Sequence, residues 1–201
     1  MVSFQEHRSG VARMIAGETA RTESSRGEGM DFGGYLQKAL HILQLDARTI
    51  REVSRDEDAL LPALLFFAIA GLANGAGQFS FRGMVFGPIL ATLLSFVFVG
   101  LLSVIARLFG STASFLELYR PLGVAAPIHW VQAFPLIGPF LGFFALLYFA
   151  VVAGLAIEST GELPRSKAIA VVTLLVGVSL FLCLVFLALI GSLLLFRALF
   201  A

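Results

Sequence analysis

His129 is the one readily ionisable side chain in residues 121–157, a long stretch that carries no formal charge. An ionisable group at that depth in an apolar stretch is a candidate proton relay or metal ligand, because it is costly to keep there without a use. Both chemistries need partners, and no acidic residue, cysteine or second histidine shares the stretch. We therefore favour a neutral histidine held by a hydrogen bond, with a ligand role as the alternative.

A second group of polar residues, Ser114, Glu117 and Arg120, stands at the start of this stretch. Serine followed three residues later by glutamate is the spacing of a capping box, in which both side chains bind free N–H groups at a helix start. Arg120 follows after another three residues and can pair with Glu117 on one helical face. We predict a capped helix here; the functional alternative is a charged site at a membrane surface.

The spacings that usually mark catalysis or phosphate binding are missing from the sequence. It contains no P-loop, nucleophile elbow, HExxH motif or pair of catalytic carboxylates. Its single cysteine, Cys183, excludes a disulfide within the chain. We predict that the chain is not an enzyme, and we expect no cofactor, no metal site and no small-molecule substrate.

The distribution of charge separates the chain into two parts. Overall, 58% of the residues are hydrophobic, 13% are charged and the mean hydropathy is +0.92. Eight of the 14 basic and ten of the 13 acidic residues lie in the first 58 positions, which leaves nine charges for the last 143. A water-exposed surface of that size would need many more charges, since soluble domains average about 25%. The second part is therefore predicted to face lipid.

The first 58 residues have two segments of different character. Residues 1–33 are rich in Gly, Ser, Glu and Arg, and we predict a flexible cytosolic tail. In residues 34–58 the apolar side chains recur at helical spacing, as Leu36, Leu40 and Leu43 illustrate. This pattern predicts an amphipathic helix on the membrane surface, or alternatively one packed on a partner. The net charge of +1 does not indicate a basic surface for nucleic acid, and we expect no nucleic-acid partner.

Apolar stretches after residue 58 predict an all-α, polytopic transmembrane helix bundle of about five spans. A span needs about 20 residues at roughly 1.5 Å each. Residues 121–157 are too long for one span, and the prolines of Phe134-Pro-Leu-Ile-Gly-Pro-Phe140 supply a break. The predicted membrane domain is 59–201, with spans at about 59–77, 84–109, 114–136, 139–157 and 166–197.

The basic residues predict the orientation of this bundle. With the N-terminus in the cytoplasm, seven of them flank the inner ends of the spans and two flank the outer ends. This asymmetry is what the positive-inside rule expects. We predict a multi-pass protein of the cell inner membrane with its C-terminus outside. The inner residues are Arg48, Arg51, Arg55, Arg107, Arg120, Arg165 and Lys167, and the outer ones are Arg82 and Arg197.

Two pairs of glycines have the spacing that lets membrane helices approach closely. Gly71 and Gly75 lie in the first predicted span, and Gly138 and Gly142 open the fourth. Small residues four apart leave a smooth helical face on which another backbone can pack. We predict helix packing at both pairs, within the chain or between copies.

The order of several segments resembles the bacterial branch of the Yip family (the Yip-one, or Rab/Ypt-interacting-protein, domain). The segments are LDARTIREVSRD at 45–56, AGLANG at 70–75, FLELYRPLGVAAP at 115–127, PLIGP at 135–139 and SKAIAVV at 166–172. The resemblance implies five spans, a cytosolic N-terminus and no known catalysis. The positions that match its most recognisable motif are Tyr119, Arg120, Pro121, Gly123 and Pro127.

We predict a membrane scaffold or accessory subunit that acts through helix packing and protein binding. Its expected partners are membrane lipid and other membrane proteins or copies of itself. The alternative is a small transporter or channel component, because the third predicted span is interrupted by proline and glycine and broken helices often line substrate sites. The candidate site residues are those of the family motif and the two glycine pairs, together with Glu117 and His129.

Overall fold

The computed structural model describes residues 31–200, with the backbone alone at 182–184, 186, 187 and 189–200. Every regular element in this range is a helix, which confirms the predicted all-α fold class. Most of the predicted tail, residues 1–30, lies outside the described residues. Among the described residues, three helical stretches are long and apolar enough to cross a membrane: Glu57–Gly77, Phe81–Leu108 and Gly138–Thr160.

The predicted amphipathic segment forms two helices, α1 (Phe32–Leu43) and α2 (Ala47–Arg55). The chain turns between them at Leu45, whose φ of 64° is left-handed. Asp46 then caps α2, because its carboxylate accepts hydrogen bonds from the Thr49 hydroxyl at 2.8 Å and the Arg48 N–H at 2.9 Å. These bonds also lower the pKa of Asp46. A capping aspartate thus divides a stretch whose apolar periodicity suggested one helix.

The next two helices, α3 (Leu60–Gly77) and α4 (Phe81–Leu108), form a hairpin joined by three residues. Ser80 caps α4 by accepting a hydrogen bond from the Gly83 N–H at 3.0 Å. Most large apolar side chains of α4 point away from the protein, and Ile89, Leu93 and Val97 are each more than half exposed. Because α4 satisfies its own backbone groups, this outward apolar face is suited to lipid.

The third predicted span, 114–136, is divided in the structure. It consists of α5 (Phe115–Val124) and a 3-10 helix at Ala126–Ala133, followed by a turn with Leu136 at a φ of 63°. Residues 121–126 are all buried, so the division lies in the interior of the protein. Pro127 follows directly and cannot donate the backbone hydrogen bond that would continue an α-helix. The fold therefore has an interrupted helix at this position.

Two long helices, α6 (Gly138–Thr160) and α7 (Arg165–Phe200), complete the described chain. Their short connection meets the connection between α4 and α5, where the Thr112 N–H donates to the Gly161 carbonyl at 3.5 Å. Lys167 adds a hydrogen bond from its ammonium to the Phe109 carbonyl at 3.3 Å. Both connections therefore lie at one end of the helices, and the α3–α4 turn lies at the other. The count of five spans stays a prediction.

Candidate functional site

Helices α1 and α2, which we call the platform, are joined to each other by ion pairs. The Lys38 ammonium lies 3.0 Å from a Glu52 carboxylate oxygen and 3.4 Å from one of Asp56. The Tyr35 hydroxyl donates to the same Asp56 carboxylate at 2.9 Å. Burial lowers the pKa of Lys38, but the two carboxylates outweigh this effect and raise it above its usual value. Lys38 therefore stays charged throughout the neutral pH range.

Two long-range hydrogen bonds attach the platform to α5 and α6. The Arg120 guanidinium on α5 donates through Nη1 to the Ser54 carbonyl at 2.9 Å. The Tyr148 hydroxyl on α6 donates to the Leu43 carbonyl. Both acceptors belong to last turns, of α2 and α1 respectively, where carbonyls have no partner within the helix. The apolar sides of the platform are buried as well, with Ile42 and Ile50 fully inaccessible.

Glu117 and Arg120 do not pair as their spacing suggested. The only ion pairs within 4.0 Å in the described part of the chain are those of Lys38. Glu117 instead completes a capping box: its carboxylate accepts from the Ser114 N–H at 2.6 Å, and its own N–H donates to the Ser114 hydroxyl at 3.3 Å. Because Arg120 turns toward Ser54, the predicted ion pair is wrong, and these two residues cap two different helices.

A cavity of about 390 Å³, which we call the polar pocket, opens between the platform and the membrane helices. It collects all three acidic residues that follow position 58, although they are 41 and 4 positions apart along the chain. From the sequence, only Glu117 among them was singled out, as a capping residue. The pocket is lined by Ala47, Arg51, Ser54, Arg55, Glu117, Leu155, Glu158, Ser159, Thr160 and Glu162.

Tyr119, from the motif that carries the family resemblance, is fully buried in the centre of the protein. Its hydroxyl shares a hydrogen bond of 2.8 Å with the hydroxyl of Ser95 on α4. Its ring stacks on Phe96 with a centroid distance of 4.7 Å and on Phe115 with one of 5.4 Å. Tyr119 therefore joins α5 to α4. The sequence did not predict the bond between Tyr119 and Ser95, because no recognisable spacing links the two residues.

The neighbours of Tyr119 in the motif also lie in the interior. Pro121 and Gly123 are buried, and Pro127 is half-buried. A Cβ atom on Gly123 would overlap Ala63 of α3, so the close approach of these two helices requires glycine there. The motif residues thus contact the protein interior, with Arg120 reaching the platform.

His129 lies on the 3-10 helix that follows α5. Its Nδ1 atom is 3.4 Å from the side-chain amide nitrogen of Gln132, and its ring centroid is 5.1 Å from that of Phe149. Among the residues that the structure describes, no group of three His, Cys, Asp or Glu side chains could hold a metal ion. Among the described residues, His129 therefore contacts the amide of Gln132 and the ring of Phe149.

In the two predicted glycine pairs, three glycines closely approach the backbone of another segment, and Gly142 approaches a side chain. A Cβ atom on Gly71 would overlap the carbonyl group of Gly87, and one on Gly75 would overlap the backbone at Gly83. These four glycines therefore bring α3 and α4 together. Gly138 and Gly142 both approach Gln132 of the 3-10 helix, so the structure brings the second pair to the interrupted segment.

Comparison with known proteins places this geometry in a family. A family model described as the Yip1 domain matches residues 41–194, which confirms the resemblance to Yip proteins found in the sequence. The match begins in α1 and includes the polar pocket, the Tyr119 cluster and both glycine pairs. No curated protein and no solved structure gives a significant match to the chain.

Proposed function

Because the chain belongs to the Yip1 domain family, we propose that this membrane protein is a non-catalytic scaffold or accessory subunit that binds other membrane proteins or copies of itself. Membership of the family supports the membrane setting. The specific role is inferred from which surfaces the protein holds rigid and which it exposes.

The observation that carries this proposal is the attachment of the platform to the membrane helices. Hydrogen bonds from Arg120 and Tyr148 bind the ends of α2 and α1, and the ion pairs of Lys38 bind the two helices to each other. The outer side of the platform is polar and exposed, with His41, Gln44 and Arg48 among its residues. A polar surface held at a fixed position over lipid-facing helices is suited to protein recognition at the membrane boundary.

Photo-cross-linking in native membranes tests the scaffold proposal. A photoreactive residue at His41 or at Arg48, both exposed on the platform, is expected to give a discrete adduct with a protein. The matched control is the same probe at Leu93 on the outward face of α4, which is expected to label lipid. Absence of a protein adduct from both platform positions, with the protein present at normal levels, would contradict the proposal.

The proposed orientation puts the platform in the cytoplasm of the cell inner membrane and the C-terminus outside, after five spans. The basic residues support it, because three of the seven predicted for the inner flank lie on α2, and Arg120 bonds to α2. The other three, Arg107, Arg165 and Lys167, lie at the helix ends beside the two connections. A reporter that works only outside the cytoplasm is expected to be active after Ala201 and silent after Arg55. Cytoplasmic signals at both positions would require an even number of spans.

The second candidate function, a small transporter, is favoured by the interruption between α5 and the 3-10 helix. Interrupted helices in transporters expose backbone groups to a substrate. Here the segment holds His129 and Gln132, which contact each other. If the scaffold proposal holds, the protein in sealed vesicles will give no ion or solute flux above empty vesicles. A specific flux that disappears in His129→Leu would put the transporter first.

A further inference from the structure

The charges around the polar pocket face one another without pairing. Arg51 and Arg55 approach it from α2, and Glu158 approaches it from the end of α6. In the described part of the chain, none of these side chains is within 4.0 Å of an opposite charge, since both recorded ion pairs belong to Lys38. Charges of both signs that surround one cavity and are held apart leave room for a ligand that carries both signs.

An apolar groove continues from the polar pocket. It lies between α6 and α7, has a volume of about 510 Å³, and shares Leu155 and Glu158 with the pocket. On α6 it extends from Ala150 to Glu158, which is roughly 12 Å at about 1.5 Å per residue. Gly154 leaves its floor open, because the nearest atom of another residue to a Cβ there would be a Val172 methyl at 3.5 Å. Together the pocket and the groove form one cavity that is polar in the pocket and apolar along the groove.

The combined site is electrically balanced. Arg165 lines the polar end of the groove, so three arginines stand against the three glutamates of the pocket, and three minus three gives a net charge of zero. An anionic ligand would place further negative charge beside three carboxylates. A ligand with one positive and one negative group can meet both sets of charges, and that arrangement gives specificity through repulsion of the wrong charge as well as attraction of the right one.

The position of the site restricts the ligand further. One wall of the groove is formed by the apolar stretch Gly138–Thr160, which is long enough to cross a membrane. The polar pocket lies at the C-terminal end of this stretch. A molecule that occupies both must have a polar group at the membrane boundary and a hydrocarbon chain inside the membrane. Basic residues in pockets between membrane helices bind the phosphate groups of lipids, and the three arginines supply such residues here.

We propose that the polar pocket and the groove bind one zwitterionic phospholipid with a phosphoethanolamine headgroup. Its phosphate contacts Arg51, Arg55 or Arg165, its ammonium contacts Glu158 or Glu162, and one acyl chain lies along Gly154 in the groove. Arginine suits the phosphate because its planar fork can donate two parallel hydrogen bonds. This binding would occur whether or not the scaffold proposal is correct.

Native mass spectrometry of the full chain in detergent tests the proposal. Dioleoyl phosphatidylethanolamine is expected to bind at one equivalent and about tenfold more tightly than phosphatidylglycerol with the same chains, since an unmade charge-assisted hydrogen bond costs at least that factor. Soluble O-phosphorylethanolamine, which has the headgroup without a chain, is expected not to displace the lipid. Equal binding of the two lipids, or full displacement by the soluble headgroup, would overturn the proposal.

Two matched pairs of variants test the two ends of the site separately. Gly154→Leu fills the groove and is expected to weaken phosphatidylethanolamine binding about tenfold. Gly100→Leu on α4, where no atom of the described residues lies within 4 Å of the added Cβ, is expected to leave binding unchanged. Glu158→Gln is expected to remove the preference over phosphatidylglycerol, whereas Glu57→Gln, exposed and outside the pocket, keeps it. Binding that is unaffected by both Gly154→Leu and Glu158→Gln would contradict the assigned site.

Discussion

Replacement of Gly71 by leucine is expected to lower the Tm by roughly 2–12 °C, because overpacking costs about 1–3 kcal/mol and each kcal/mol moves the Tm of a chain this size by about 2–4 °C. The cause is the backbone contact of the α3–α4 hairpin. A Cβ atom at Gly71 would overlap the carbonyl of Gly87 and come within 2.8 Å of the Ala91 side chain. Neither backbone can move aside without separating the two helices along their length.

The single tryptophan provides the measurement for this variant. Trp130 donates from its indole N–H to the Phe66 carbonyl of α3 at 3.3 Å, so its fluorescence reports the packing of α3 during thermal unfolding. Gly75→Leu should behave like Gly71→Leu, because Gly75 meets the backbone at Gly83. Gly100→Leu is the control, since no atom of the described residues lies within 4 Å of where its Cβ would be. Equal Tm values for Gly71→Leu and Gly100→Leu would show that the hairpin contact does not limit stability.

The long apolar helices could be predicted largely from the length of the apolar stretches and from the prolines that interrupt them. The predicted spans 59–77 and 84–109 correspond closely to α3 and α4, because a membrane requires a minimum length of uninterrupted apolar helix. Pro135 and Pro139 correctly indicated a break before α6. The signal at α1 and α2 was weaker, since the capping aspartate Asp46 lay within a pattern that continued at helical spacing on both sides.

The amphipathic face of α1 shows why burial was harder to predict than helix position. The apolar pattern pointed to Leu36, Leu40 and Leu43, but Ala39 and Ile42 are the buried residues, and Leu40 is 57% exposed. Both lipid and protein interior accept apolar side chains, so periodicity alone cannot distinguish the two environments. The side of α1 that packs on the bundle is decided by contacts with helices far away in the sequence.

The polar pocket could not be predicted because its residues are distant in the sequence. Glu117 was interpreted as a capping residue, which it is, and Glu158 and Glu162 were not among the candidate site residues. Their one shared feature was that no other acidic residue occurs after position 58. Because charges are so scarce after position 58, the three acids could be expected to share one site. Only the packing of α2, α5 and α6 shows where that site is.

Arg120→Leu is expected to release α2 from the membrane helices. The Arg120 Nη1 atom donates to the carbonyl of Ser54 in the last turn of α2, where the helix dipole also favours a positive charge. Loss of a hydrogen bond to a charged group costs about 1.5–3 kcal/mol. Because this bond is local to α2, the effect should be larger on the attachment of that helix than on the core.

Limited proteolysis measures this release directly. Trypsin can cut after Arg51 and Arg55, which are exposed but held in α2, and cleavage requires the helix to leave its place. We expect Arg120→Leu to be cut there at least tenfold faster than the unmodified protein, since tenfold corresponds to about 1.4 kcal/mol. Arg107→Leu, the same change at the exposed end of α4, should leave the rate unchanged.

Arg120→Lys separates the hydrogen bond from the shape of the guanidinium. Among the residues that the structure describes, the buried Nε atom of Arg120 has no hydrogen-bond partner, so the fork geometry of arginine is not used in full. A lysine ammonium at this position keeps a positive donor for the Ser54 carbonyl, and it removes the unsatisfied Nε–H. We therefore expect Arg120→Lys to be cut at a rate close to that of the unmodified protein. If Arg120→Leu were as resistant to trypsin as Arg120→Lys and yet lost its cross-linking partners, Arg120 would be a recognition residue instead of a cap.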